Sequence, residues 1–303
     1  MLRIIVNRVS FHRASHRFAS CLALRYNLDV SSSSRRTTSL ILAIIACALL
    51  FALAVPATAS MRGIAGPTIA MAASPTNAAL WIALAFAGSI AVACAIGRYI
   101  NAVVGMFTLG CGVSVLAMRS GTIEDFAFAR GSILMLAVEV ALWALLVLAA
   151  TLLVFRVSGP LPDAVETDEP RVHGPFGSRV LLAQPCGVLV LVGVLIIAVS
   201  AAKGQALAAV FVGSVVAALA ARLVAPKSPP ILFFVTPLLV GCAGYLIAFL
   251  MLKNTRIDVA YVQLTLSRLA YPMPIDYAAG ALAGVAVGIG WARSFLKHEP
   301  ART

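Results

Sequence analysis

The sequence predicts an all-α fold, a polytopic membrane helical bundle of about eight transmembrane helices, and three observations carry that expectation. Hydrophobic residues make up 61% of the chain, mean hydropathy is +1.00, and charged residues are 11%, against about 25% in soluble domains. The apolar residues fall in continuous runs of about 17 to 25, the length that helices rising about 1.5 Å per residue need to cross about 30 Å of hydrocarbon. Those runs do not alternate apolar with polar positions, so they read as helices and not as the strands of a barrel. The net charge of +12 is not a nucleic-acid footprint. Beyond residue 38 the Lys and Arg residues stand at the ends of apolar runs, as membrane flanks do.

Residues 1–38 are basic and polar, with seven Arg against one Asp. Phe11, Phe18 and Leu22 share a face that suits a membrane-surface helix. His12 and His16 have a metal-compatible i, i+4 spacing, but no third ligand stands near them. Two readings of the apolar run Leu40–Pro56 stay open. It is either a retained first helix or a signal peptide cut after Ala59, since Arg35 and Arg36 precede it and Ala57-Thr58-Ala59 fits a small-x-small site. In the second case seven spans remain in the mature chain.

A Gly/Pro/Ala/Ser connector, residues 60–77, leads to a second span at about Ala79–Ile96 and a third at about Ala102–Met118, joined by a tight turn carrying Arg98 and Tyr99. Gly105, Gly110 and Gly112 let the third span approach a neighbour closely. The loop Arg119–Gly131 contains Thr122 three positions before Asp125, a capping-box spacing that predicts a short interfacial helix. The fourth span, Ser132–Phe155, holds one carboxylate, Glu139, and no other span carries an Asp, Glu, Lys or Arg in its central portion. An ionisable residue at that depth faces protein or water and often marks a pathway, which makes Glu139 the candidate ion or proton site.

A Pro/Gly-rich acidic linker, residues 157–178, separates a first block of four helices (39–156) from a second (179–296), with a short tail at 297–303. The fifth span is expected at about Leu181–Ser200 with Pro185 near its start, and the sixth at about Gln205–Ala221. The seventh, about Ile231–Leu252, contains Pro237 followed by Gly241 and Gly244, which marks a candidate kink. Lys253–Ile275 reads as an interfacial helix or extended surface loop. In the eighth span, about Tyr277–Trp291, Gly280, Gly284 and Gly288 recur every four residues and form a candidate packing face for another helix, within the chain or in an oligomer.

Eight spans put both termini on one side, where 16 Lys and Arg stand against 7 on the other. The positive-inside rule then places both ends in the cytoplasm if the first helix is retained, and a bacterial cytoplasmic (inner) membrane is the expected location. The expected partners are the lipid bilayer and other subunits in a homo- or hetero-oligomer, with no nucleic acid.

No catalytic, cofactor-binding or metal-binding residue is identified. The six cysteines lack ligand spacing, and the chain has no HExxH, GxSxG or Walker A pattern and no histidine in a span to serve haem or a serine nucleophile. Three functions remain: a transporter or channel-like permease component using Glu139; a non-catalytic assembly or scaffolding subunit using the glycine face; and, more weakly, a lipid-directed membrane enzyme drawing on Glu139 and Asp276.

Overall fold

A computed structural model describes residues 34–61, 63, 65–159, 161, 177–226, 228–252 and 255–296. The N-terminal surface helix with His12 and His16, most of the acidic linker with His173, and the tail at 297–303 lie outside the described residues. The chain divides into a short unit, Met1–Leu42, and a compact unit, Ala43–Thr303. In the short unit, residues 34–42 are helical, and the Thr38 and Ser39 hydroxyls donate to the carbonyls of Ser34 and Arg35 at 3.0 and 2.9 Å. The packing that follows is that of the larger unit.

Eight helices among the described residues are long and apolar enough to cross a membrane. They are α1 (Ser34–Thr58, ending in a 3-10 turn), α2 (Pro75–Tyr99), α3 (Ala102–Arg119), α5 (Ile133–Ser158), the pair α6–α7, α8 (Lys203–Val224), α9 (Ile231–Met251) and α11 (Pro274–Leu296). Within the fifth span Pro185 turns the chain through a 3-10 segment, Gln184–Gly187, between α6 (Ser178–Ala183) and α7 (Val188–Ile197). Successive connections alternate between two faces of the bundle. Among the described residues, the loop face carries 59–61, 63, 65–74, 120–132, 198–202, 252 and 255–273; the opposite face carries the turn at 100–101 and residues 225, 226 and 228–230.

Two short helices form on the loop face. The spacing of Thr122 and Asp125 delivers the expected element, α4 (Ile123–Phe128), with both arms of a capping box in place and the Thr122 N–H donating to Asp125 Oδ2 at 2.8 Å. The loop after α9 folds into α10 (Ile257–Val262), which packs on α4 through Tyr261, whose ring meets Phe128 edge-on at 6.0 Å.

The bundle is organised around α11. Of its most apolar stretch 83% is buried, against 22% for α1, and α8, α3, α9 and α5 all pack on it. Helices from before and after the linker therefore interleave: α11 lies on α3, and α5 on α9.

Lipid tails are as apolar as leucine, so close van der Waals contact has to hold such helices together. The glycine face supplies it against α8 of the same chain. A Cβ at Gly280 would stand 2.7 Å from Val210, one at Gly284 would run into the Phe211 carbonyl oxygen, and one at Gly288 into that of Val215. On the opposite side, Gly110 of α3 brings its backbone against Ala283.

The helix α9 runs through Pro237 without a break in its helical conformation. Proline removes the N–H that would bond the carbonyl one turn earlier. Beside it the Thr236 hydroxyl lies within hydrogen-bond reach of the Leu232 carbonyl, at 2.8 Å, and of Gln184 Oε1, and its one proton serves one of the two.

Candidate functional site

Glu139 is the seventh residue of α5, about 10 Å from the helix midpoint toward the loop face at 1.5 Å per residue. Its side chain is buried, with 8% of the residue exposed. Its partner comes from the connector after α1: Oε1 accepts from the backbone N–H of Ile69 at 3.3 Å. Ile69 opens a single 3-10 turn, Ile69–Met71, so the carboxylate serves as the N-terminal cap that Thr68 does not provide. No described cation pairs with Glu139.

The connector is more than a link between spans. It folds back on itself, with Gly66 N–H donating to the Thr58 carbonyl at 3.0 Å, Ala73 N–H to the Ala59 carbonyl at 2.8 Å, and a bridge between Ala59 and Ala65. Gly66, Pro67 and Thr68 are buried. Gly66 has to be glycine, because a Cβ there would collide with the Thr58 carbonyl oxygen.

A second buried ionic group lies on the same face. Lys203, the first residue of α8, places Nζ 2.9 Å from Asp276 Oδ1 and 3.1 Å from Oδ2, and donates to the Gly121 carbonyl at 3.1 Å. Asp276 is fully buried and also accepts from its own Met273 N–H at 2.8 Å. The Gly121 N–H in turn donates to the Gly66 carbonyl at 3.0 Å. Nearby, the Tyr245 hydroxyl donates to the Pro272 carbonyl, and the Tyr245 and Tyr277 rings meet edge-on at 5.7 Å. Gly241 leaves room for the Tyr277 ring, and Cys242 Sγ lies 3.5 Å from the Ala137 carbonyl, clipping α9 to α5 beside Glu139.

Set against known proteins, the chain matches no family model, no curated protein and no solved structure.

The geometry brings Glu139 under the connector and keeps the other candidate positions apart from it. Gly280, Gly284 and Gly288 face α8, and Pro237 lines a small crevice with Gly187, Ala217, Phe233, Thr236 and Val285. That crevice does not include Glu139. No cluster of three or more metal-ligating side chains exists among the described residues.

The pairing of Lys203 with Asp276 escaped the sequence reading, which had considered Asp276 only for a lipid-directed enzyme. Lys203 and Asp276 sit at span ends, where a lone Lys or Asp is ordinarily a solvated flank; only their shared face hints at pairing. Arg222 has the same disguise near the end of α8, yet it is 2% exposed and donates to the Ser228 carbonyl at 2.6 Å.

On the surface of the loop face, Tyr261 donates to Glu124 Oε2 at 3.3 Å. Partial burial and, after it, the Glu124 carboxylate push the phenol above its ordinary range. A hydrogen bond from Arg256 holds the Asp258 carboxyl below its usual range.

Proposed function

We propose that this multi-pass membrane protein is a transporter or channel-like permease component, with Glu139 as the group that takes up a proton or a cation. One observation carries the reading. A carboxylate buried in a span is held by a backbone N–H of a loop that is itself tucked into the bundle, with no described cation beside it. Burying an ionisable side chain in a bilayer costs several kcal/mol, roughly 2.5–3.5 on insertion scales, and such residues are retained mostly where they serve a pathway. A leucine at this position would pack without that cost. Displacing the Ile69 turn opens the carboxylate toward the loop face, which supplies the entrance a pathway requires.

The basic residues of the N-terminal side, 16 against 7, support a cytoplasmic location for both chain ends, so the loop face looks outward. An assembly role through Gly280, Gly284 and Gly288 has less support, because α8 of the same chain already fills that face.

The test is a flux measurement in proteoliposomes under an imposed proton or cation gradient, comparing wild type with Glu139→Gln. Loss of flux in a protein that remains monodisperse is expected. Equal flux in the two proteins removes Glu139 from any pathway.

A further inference from the structure

The structure assigns Lys203 a positioning role for the Glu139 site: through Gly121 and Gly66 it seats the connector whose Ile69 N–H reaches the carboxylate. The inference rests on the proposed role of Glu139 and says how access to that residue is controlled.

One line of hydrogen bonds runs through the loop face from Lys203 to Glu139. Lys203 Nζ donates to Asp276 Oδ2 and to the Gly121 carbonyl, both at 3.1 Å, and stands 2.9 Å from Asp276 Oδ1 as an ion pair. The ammonium thereby holds α11 and the 119–132 loop together at the head of α8. The Gly121 peptide is gripped from both ends, since its N–H donates to the Gly66 carbonyl at 3.0 Å. Gly66 in turn donates to the Thr58 carbonyl at 3.0 Å. Three residues further on, Ile69 donates to Glu139 at 3.3 Å.

The fit leaves no slack. A Cβ at Gly121 would stand 2.8 Å from the Ala65 carbonyl oxygen and 2.9 Å from the Pro67 nitrogen, both backbone atoms. Gly121 thus rests directly on the buried Gly66-Pro67-Thr68 segment. Lys203 is only 11% exposed at its side chain and Asp276 is fully buried, so losing one partner leaves the other charge stranded. Neither residue touches Glu139. Their effect on it runs through the position of the connector.

Thr68 reports that position, because it is 4% exposed and adjacent to Ile69. The full chain carrying Thr68→Cys is reconstituted in proteoliposomes and treated with a membrane-impermeant maleimide, and the label at residue 68 is read by peptide mass spectrometry. With Lys203 present, labelling is expected to be slow. Lys203→Met is expected to speed it by about tenfold or more, as the loss of a charge-assisted contact unseats the connector. Lys203→Arg, which keeps the charge and the donors, is expected to return the rate to near the starting value. An unchanged rate in monodisperse Lys203→Met overturns the proposal, as does equal acceleration by Met and Arg. If Lys203→Met does not fold, Gly121→Ala takes its place: it leaves the ion pair intact and presses on Ala65 and Pro67, and labelling no faster than in the parent overturns the proposal equally. The flux test of Glu139→Gln stands apart, because a failed transport role leaves the labelling result untouched.

Discussion

Glu139 and Ile69, seventy positions apart in the chain, are joined by one hydrogen bond of 3.3 Å from the Ile69 N–H to Glu139 Oε1. That bond ties the connector after the first span to the middle of the sequence. It also gives the two obvious replacements of Glu139 different consequences for folding.

Glu139→Gln keeps a carbonyl oxygen at the same reach, so the Ile69 N–H stays paired. Glu139→Leu removes the acceptor and strands a buried donor, at about 1–3 kcal/mol. Partly offsetting this, leucine is the more comfortable residue in a bilayer. Thermal unfolding followed by fluorescence-detected size exclusion should place the glutamine variant near wild type and the leucine variant no higher than it. Faster hydrogen exchange at Ile69 is expected in the leucine variant alone.

The α8–α11 contact makes a sharper prediction. A Cβ at Gly284 meets the Phe211 carbonyl oxygen and stands 2.8 Å from the Ser214 Cβ, whereas one at Gly290 meets nothing within 4 Å. Gly284→Ala must push two helix backbones apart and is expected to cost about 1–3 kcal/mol or more, as overpacked cores do. Gly290→Ala relieves backbone entropy in an open helical position and should be neutral or stabilising by up to about 1 kcal/mol. Comparing the melting temperatures of the two variants in one detergent checks the contrast.

Tyr261 predicts an alkaline effect on the loop face. Burial and Glu124 raise its phenol above the ordinary value of about 10. The folded state thus holds the proton more tightly than the unfolded one, and its contribution is complete below that ordinary value and lost as pH rises through the folded one. Tyr261→Phe has no such proton. The difference in melting temperature between wild type and Tyr261→Phe should therefore shift against wild type as pH rises above the ordinary phenol value of about 10, and a constant difference would show that neither burial nor Glu124 raises this hydroxyl.

Much of this architecture is legible in the chain because the bilayer imposes simple demands. Runs such as Ile133–Phe155 announce a span by length alone, and Thr122 with Asp125 announces a helix start because the box is local. Partners distant in sequence leave weaker traces. Gly280, Gly284 and Gly288 advertise close packing, but α8 offers no matching glycine stripe, since it presents Phe211 and Val215 carbonyls and the Ser214 and Ala218 side chains. The Glu139 carboxylate was visible, and what holds it was not. A backbone N–H looks the same at every residue, and the Gly/Pro-rich connector reads like any exposed loop until Gly66, Pro67 and Thr68 are seen buried. The Lys203–Asp276 pair was hidden by the ordinary positions of both residues at span ends.

The fate of the first span is the remaining question that a single substitution can address. In α1, Ala43, Cys47, Phe51 and Ala54 are buried at helical spacing, and Phe51 meets Phe86 of α2 edge-on at 6.4 Å. Gly112 of α3 is fitted to this stripe, since a Cβ there would stand 2.9 Å from both the Cys47 Cβ and the Phe51 ring. A signal peptide leaves after its work is done, and a glycine groove shaped to it would then face lipid, where a larger side chain is welcome. A retained helix makes the same groove a contact, where a larger side chain has no room. Gly112→Leu is therefore expected to destabilise the purified protein by about 1–3 kcal/mol or prevent its folding, as overpacking does. Intact mass measurement is expected to find α1 still attached. An N-terminus at Ser60, together with a Gly112→Leu protein as stable as wild type, would establish that the bundle works with seven spans and that the stripe on α1 serves only the nascent chain.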